Sequence, residues 1–367
     1  MKQVCLLCER TALDNNLYCQ EIYCPAEKSP NILDYGEWLG DIEIIKPIMV
    51  LRASVLYAAR HQQRQILLKV AHPGEQNTAR LKREAELLRD IQLQKQQEAY
   101  LPTLLPAYAN TTIQTDPYGK AMLRGHLLYF CLFEYFEGEP LRDILTKNPQ
   151  LWVYHIGWLM TSLSYAVALL QSKEMLHCGL APETVLVHFD EKLNAPHILL
   201  FDLGIARPYQ DCDPADVVDL IAPAYTAPEM LHPTHPFATY ATDVYGLGLI
   251  LYELLVGEPA FPFKLRSDAD VYELILHNQR VKMNRIEDVR PIAEIANQTV
   301  SQQASVRPQS AADLAEQLLK NFGEVPGKKQ KTTPKLKTAL IVVAALLTIA
   351  FLITLAVTID ELFSLLS

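Results

Sequence analysis

His-Cys-Gly-Leu-Ala-Pro-Glu-Thr-Val-Leu-Val, residues His177 to Val187, is the stretch that decides how this chain is read. It lies near the middle of 367 residues, with other short stretches on either side. Upstream come Ile66-Leu67-Leu68-Lys69, then Glu84 within Arg-Glu-Ala-Glu, then Phe133-Glu134-Tyr135-Phe136-Glu137-Gly138. Downstream come Asp202-Leu203-Gly204, Ala227-Pro228-Glu229, Asp243-Val244-Tyr245-Gly246-Leu247-Gly248 and Arg307-Pro308. Each is weak as a single motif. Their order and spacing together are specific.

These stretches resemble the landmarks of protein kinases, in family order, over residues 31–322. The flavour of Phe-Glu-Tyr-Phe-Glu-Gly and Ala-Pro-Glu-Met is similar to bacterial Ser/Thr kinases. The resemblance implies an α+β, two-lobed fold with ATP between the lobes. Lys69 and Glu84 stand for the ion pair that holds the α/β-phosphates, and Asp202 for a magnesium ligand. Glu134 and Tyr135 stand in the hinge. Glu229 and Arg307 stand for a structural ion pair of the large lobe.

The catalytic loop departs from the family. Gly179 occupies the place of the base Asp, Ala181 that of a phosphate-contacting Lys, and Thr184 that of a metal-binding Asn. His177 keeps a position that is structural in the family. Cys178 replaces the Arg that clamps a phosphorylated activation loop. The glycines of the phosphate-covering loop fall on Met49, Leu51 and Ser54, and none is Gly, so backbone cannot approach phosphates closely there. Leu67 replaces a small Ala and crowds a purine. Nucleotide is therefore expected to bind weakly or not at all. Lys69 and Glu84 fit two roles equally, a phosphate holder or a strut between helix and sheet.

Outside the kinase-like region the chain falls into four parts. Residues 1–30 carry Cys5, Cys8, Cys19 and Cys24. C-x2-C followed by C-x4-C can close a tetrahedral structural zinc site. The alternatives are a disulfide or free thiols, and a reducing compartment favours zinc. Residues 323–337 form a basic linker containing Lys328, Lys329, Lys331, Lys335 and Lys337. Residues 338–359 follow, uncharged throughout and mostly apolar, long enough to cross a bilayer core of ~30 Å. Asp360 and Glu361 open the tail, residues 360–367. Lysines before the run and acids after it place the large domain in the cytoplasm, at the cell membrane, with a stub outside. No cleavable signal peptide is read at the N-terminus.

Half the residues are apolar, which suffices for a full core. A net charge of −9 gives no hint of nucleic-acid binding. Short strands are expected at 54–59 and 66–70 with a turn between them, a helix over 77–97 and a strand over 127–135. Buried helices are expected over 151–170 and 244–255. The leading expectation is a membrane-anchored pseudokinase that scaffolds or regulates a protein partner at the cytoplasmic membrane face. The alternative is an active Ser/Thr kinase that uses Lys69, Glu84 and Asp202 in an unusual site.

Overall fold

The computed structural model describes residues 3–4, 11–12, 33, 35–94, 100–123, 125–231, 238–284 and 289–326. The four N-terminal cysteines and the apolar run 338–359 lie outside these residues. Near the N-terminus, Gln3–Val4 pairs antiparallel with Thr11–Ala12.

The first lobe is built on an antiparallel sheet. Its main strands are β1 (Ile42–Val50), β2 (Ser54–His61), β3 (Arg64–Ala71), β4 (Gly119–Leu123) and β5 (His126–Glu134). They lie in the order β1-β2-β3-β5, with β4 paired to the far end of β5 and the short strands Trp38–Leu39 and Leu104–Leu105 at the edges. The expected strands at 54–59 and 66–70 are thus β2 and β3. Their turn is carried by Gln62 and Gln63, both left-handed at φ 48° and 66°.

Side chains alternate between the two faces of a strand. Val55, Tyr57, Leu68 and Val70 belong to the core on one face. Leu56, Leu67 and Ala71 belong to the other, which is continuous with the core of the large lobe. Lys69 shares this second parity with Leu67 and Ala71. The alternation thus puts one buried ammonium on the face that meets helix α1 (Glu75–Leu93). That helix is the one expected over 77–97, starting two residues earlier and ending four sooner.

The second lobe is organised by α3 (Val153–Gln171) and α4 (Tyr240–Val256), which follow the short α2 (Leu141–Lys147). Both long helices are apolar nearly all round and buried, as expected for elements enclosed by neighbours. α3 is the one helix among the described residues that is long and apolar enough to cross a membrane, and it is a core helix of this lobe. Strands β6 (Val185–Phe189) and β7 (Pro196–Leu200) form a hairpin beside it. Helices α5 (Asp268–Leu276), α6 (Arg290–Thr299) and α7 (Ala311–Phe322) complete the lobe.

Candidate functional site

Of the expected site residues, Lys69, Glu84 and Asp202 converge where α1, the sheet and the loop after β7 meet. Lys69 on β3 forms an ion pair with Glu84 on α1. Its ammonium also lies 3.3 Å from Asp202 Oδ1. Arg80, one helical turn before Glu84, places its guanidinium 3.0 Å from Asp202 Oδ2. All four side chains are buried. Both oxygens of the Asp202 carboxylate therefore face cations of the protein itself.

Electrostatics bind this cluster internally. Burial alone would strip the charge from Lys69, but Glu84 and Asp202 outweigh it and hold the ammonium above its ordinary value. Burial would raise the Asp202 carboxyl, yet Arg80 and Lys69 hold it down at about 2. Asp202 itself is left-handed, at φ 64°. Two residues on, Gly204 meets the backbone of α1. A Cβ there would stand 2.2 Å from the Arg80 carbonyl oxygen. Only a glycine lets the helix come this close, and the Arg83 side chain adds a 3.1 Å bond to the Gly204 carbonyl.

The loop from His177 to Thr184 is fixed by its backbone. Asp243 on α4 accepts the N–H groups of His177 and Cys178, at 2.8 and 2.9 Å. His177 is fully buried, and its Nε2 lies 3.1 Å from the Phe201 carbonyl while Nδ1 accepts the Gly179 N–H at 3.2 Å. Burial pushes this imidazole down to about 4, so it is neutral and acts as a scaffold. The Thr184 hydroxyl donates to the Ala181 carbonyl at 2.8 Å, turned onto its own loop. At Gly179 an added Cβ would meet Ile205 Cδ1 and Cγ2 at 3.1 Å. The residue after Gly204 thus fills the space beside Gly179.

The loop over 49–54 is closed by its own packing. The Leu51 N–H donates to the Ser54 carbonyl at 2.8 Å, and His72 Nε2 lies 2.9 Å from the Leu51 carbonyl. Met49 and Leu51 are buried. They join Leu56, Leu67, Phe133, Leu186 and Phe201 in one apolar cluster at the junction of the lobes. Leu67 pairs in register with Phe133, whose ring meets Phe201 edge-on at 5.7 Å. Glu134 and Tyr135, at the end of β5, are exposed.

The expected strut of the large lobe is present. Arg307 grips Glu229 through two bonds of 2.7 and 2.9 Å, beneath the ring of Tyr245. A second buried cluster was not read from the sequence. Arg142 on α2 bonds Glu183 at 2.8 Å and also reaches Glu253 and Tyr225. One signal pointed to it: Glu253 is a carboxylate in an apolar, buried helix and requires a cationic partner. Arg80 had a signal too, four residues before Glu84 and so on the same helix face.

A β-rich small lobe, a helical large lobe and an ion cluster between them define the architecture of a protein kinase. A family model for the protein kinase domain matches residues 54–324, and the chain belongs to that family. Among the similar proteins are several from eukaryotes. The serine/threonine-protein kinase atg1 of Dictyostelium discoideum is 28% identical over 158 residues, 42% of this chain and 22% of that protein. The serine/threonine-protein kinase ULK3 of Xenopus laevis is 29% identical over 154 residues, 42% of this chain and 31% of that protein. Cyclin-dependent kinase 15 of Danio rerio is 28% identical over 192 residues, 51% of this chain and 43% of that protein. The chain thus matches less than half the length of each of these relatives. The bacterial flavour of the motifs stays a reading of the sequence alone.

Proposed function

We propose that this protein is a pseudokinase, a kinase-fold domain that regulates or scaffolds a protein partner and does not transfer phosphate. The observation that carries this reading is Asp202, whose two carboxylate oxygens are taken by Lys69 and Arg80. A metal ion would have to compete at those oxygens with two cations of the protein, and it needs a second ligand beside them. A nucleotide also needs an apolar slot for the base, and Leu67 and Phe133 stand packed together on that face. The side chains as arranged do not fit such a ligand. Gly179, with Ile205 against it, supplies no group to accept a proton.

The test is a thermal shift of the soluble part with and without Mg·ATP, paired with a transfer assay. The native protein should show neither a shift nor transfer. The Leu67→Ala variant, if folded, should gain ATP binding by calorimetry. Micromolar binding by the native protein would make it a nucleotide-sensing pseudokinase. Transfer that vanishes in Lys69→Ala would restore the active-kinase reading, which the intact Lys69–Glu84 pair favours.

Its place in the cell belongs to the same proposal. Residues 338–359 cross the membrane and the basic linker holds the kinase-like domain on the cytoplasmic side. A reporter that is active only outside the cytoplasm should signal when fused after Ser367 and stay silent when fused before Met1. Cys5, Cys8, Cys19 and Cys24 hold one structural zinc. The ladder of Gln3–Val4 with Thr11–Ala12 brackets the first two of these in sequence and supports a compact module there. Metal analysis should give about one zinc per chain for a closed four-ligand site.

A further inference from the structure

Two cysteines that are distant in sequence meet at the edge of the kinase-like site. Cys178 belongs to the loop after His177. Cys212 belongs to the segment between Asp202 and Glu229. Their sulfurs lie 3.4 Å apart, and both are free thiols in the interior. Cys178 is held in a left-handed conformation, φ 65°, by the bond from its N–H to Asp243. The fold therefore aims this side chain at the neighbouring segment. Beside Cys178 lies a cavity of about 10 Å³, lined by Cys178, Tyr225, Asp243 and Gly246 among others. That is room for one molecule about the size of water.

We propose that Cys178 and Cys212 form a reversible redox latch that hydrogen peroxide closes, tying the 202–229 segment to the His177 loop. One thiolate attacks a peroxide oxygen. An S–O bond forms, the O–O bond breaks, and hydroxide leaves and takes up a proton as water. The second thiol loses its proton and attacks the sulfenic sulfur. The S–S bond forms, the S–O bond breaks, and the departing hydroxide becomes the second water. Two thiols are thereby oxidised by two electrons and one peroxide is reduced to two waters. The bond between the thiols draws the Cys212 proton off more easily and holds that of Cys178 more tightly, with burial adding to the latter. Burial keeps a bulky disulfide such as oxidised glutathione from both sulfurs, so the latch requires an oxidant as small as hydrogen peroxide.

The full-length protein, reduced and then freed of reductant, is titrated with hydrogen peroxide, blocked with N-ethylmaleimide and mapped without reduction. The expected result is one cross-linked peptide pair joining Cys178 to Cys212, reversed by dithiothreitol. Exchange of backbone amides over 207–218 should slow by tenfold or more in the oxidised form. Oxidised glutathione should leave neither adduct nor cross-link at these positions. Blocked thiols or sulfinic acids at 178 and 212 without a cross-link overturn the proposal. So does a cross-link that leaves amide exchange unchanged. The mapping needs no variant, and a folded Cys212→Ser protein should lose the cross-link.

Discussion

At Lys69, Glu84 and Asp202 the chain keeps charges that the family uses for phosphate and metal. At Gly179, Ala181 and Thr184, in the loop after His177, it carries only small or neutral side chains. The loop is held chiefly through its backbone. Asp243 holds two of its N–H groups, and His177 links it to Phe201 and Gly179. The cluster on the small lobe keeps its charges under a different condition: Arg80 has joined it and completes the pairing of Asp202. A frame survives without chemistry when backbone bonds define it. A buried charge survives only while every partner is present.

The sharpest way to break this comparison is at Lys69. If the cluster is a strut, Lys69→Met leaves Glu84 and part of Asp202 unpaired in the interior. Removing one partner of a buried pair costs about 3–5 kcal/mol. Denaturant unfolding of the variant should show a loss in that range. A loss below about 1 kcal/mol, the range of a solvated pair, would mean that the charges stand ready for a ligand.

The frame has its own test, in the pH dependence of His177. Burial lowers its imidazole from 6.5 to about 4. Below pH 6.5 the unfolded chain binds a proton there that the folded chain refuses until about pH 4. The stabilisation is full above 6.5 and is lost as pH falls toward 4, by about 3 kcal/mol for a shift of this size. Asp243 opposes it. Burial, outweighing the bonds from His177 and Cys178, raises its carboxyl to about 6, so the folded chain takes up that proton first. Its contribution improves as pH falls from 6 toward the unfolded carboxylate value. Between pH 6 and 4 the two nearly cancel. His177→Gln removes one side, so the stability gap between native and variant should narrow by about 3 kcal/mol from pH 7 to pH 4. A gap that is constant with pH would mean that His177 titrates normally and is not sealed in.

Much of the fold was legible in the sequence because alternation and apolar helices write themselves in residue order. Leu67, Lys69 and Ala71 share a strand parity, and α3 and α4 are apolar all round. The Glu229–Arg307 pair was legible from the motif order. What was missed are partners defined only in three dimensions. Arg80 reaches Asp202 across 122 residues, and Arg142 reaches Glu253 across 111. Ile205 presses on Gly179 through a turn that no periodicity encodes. The meeting of Cys178 with Cys212 is of the same kind.

The smallest effect is expected where the family resemblance is easiest to restore. Gly179→Asp puts back a carboxylate at the base position, and its Cβ would meet Ile205 at 3.1 Å. Ile205 must shift, and overpacking of this kind costs about 1–3 kcal/mol. Transfer should stay absent, because a base supplies one part of a site whose other parts are engaged elsewhere. Asp202 still faces Arg80 and Lys69, and the Thr184 hydroxyl still bonds Ala181. Adding Ile205→Ala should relieve the contact without starting transfer. Unfolding curves and a phosphate-transfer assay on both variants check this. If Gly179→Asp alone moves phosphate from Mg·ATP to a substrate, and Lys69→Met abolishes that transfer, the contrast between the two regions collapses. The small-lobe cluster would then be a working phosphate site that had lacked only its base.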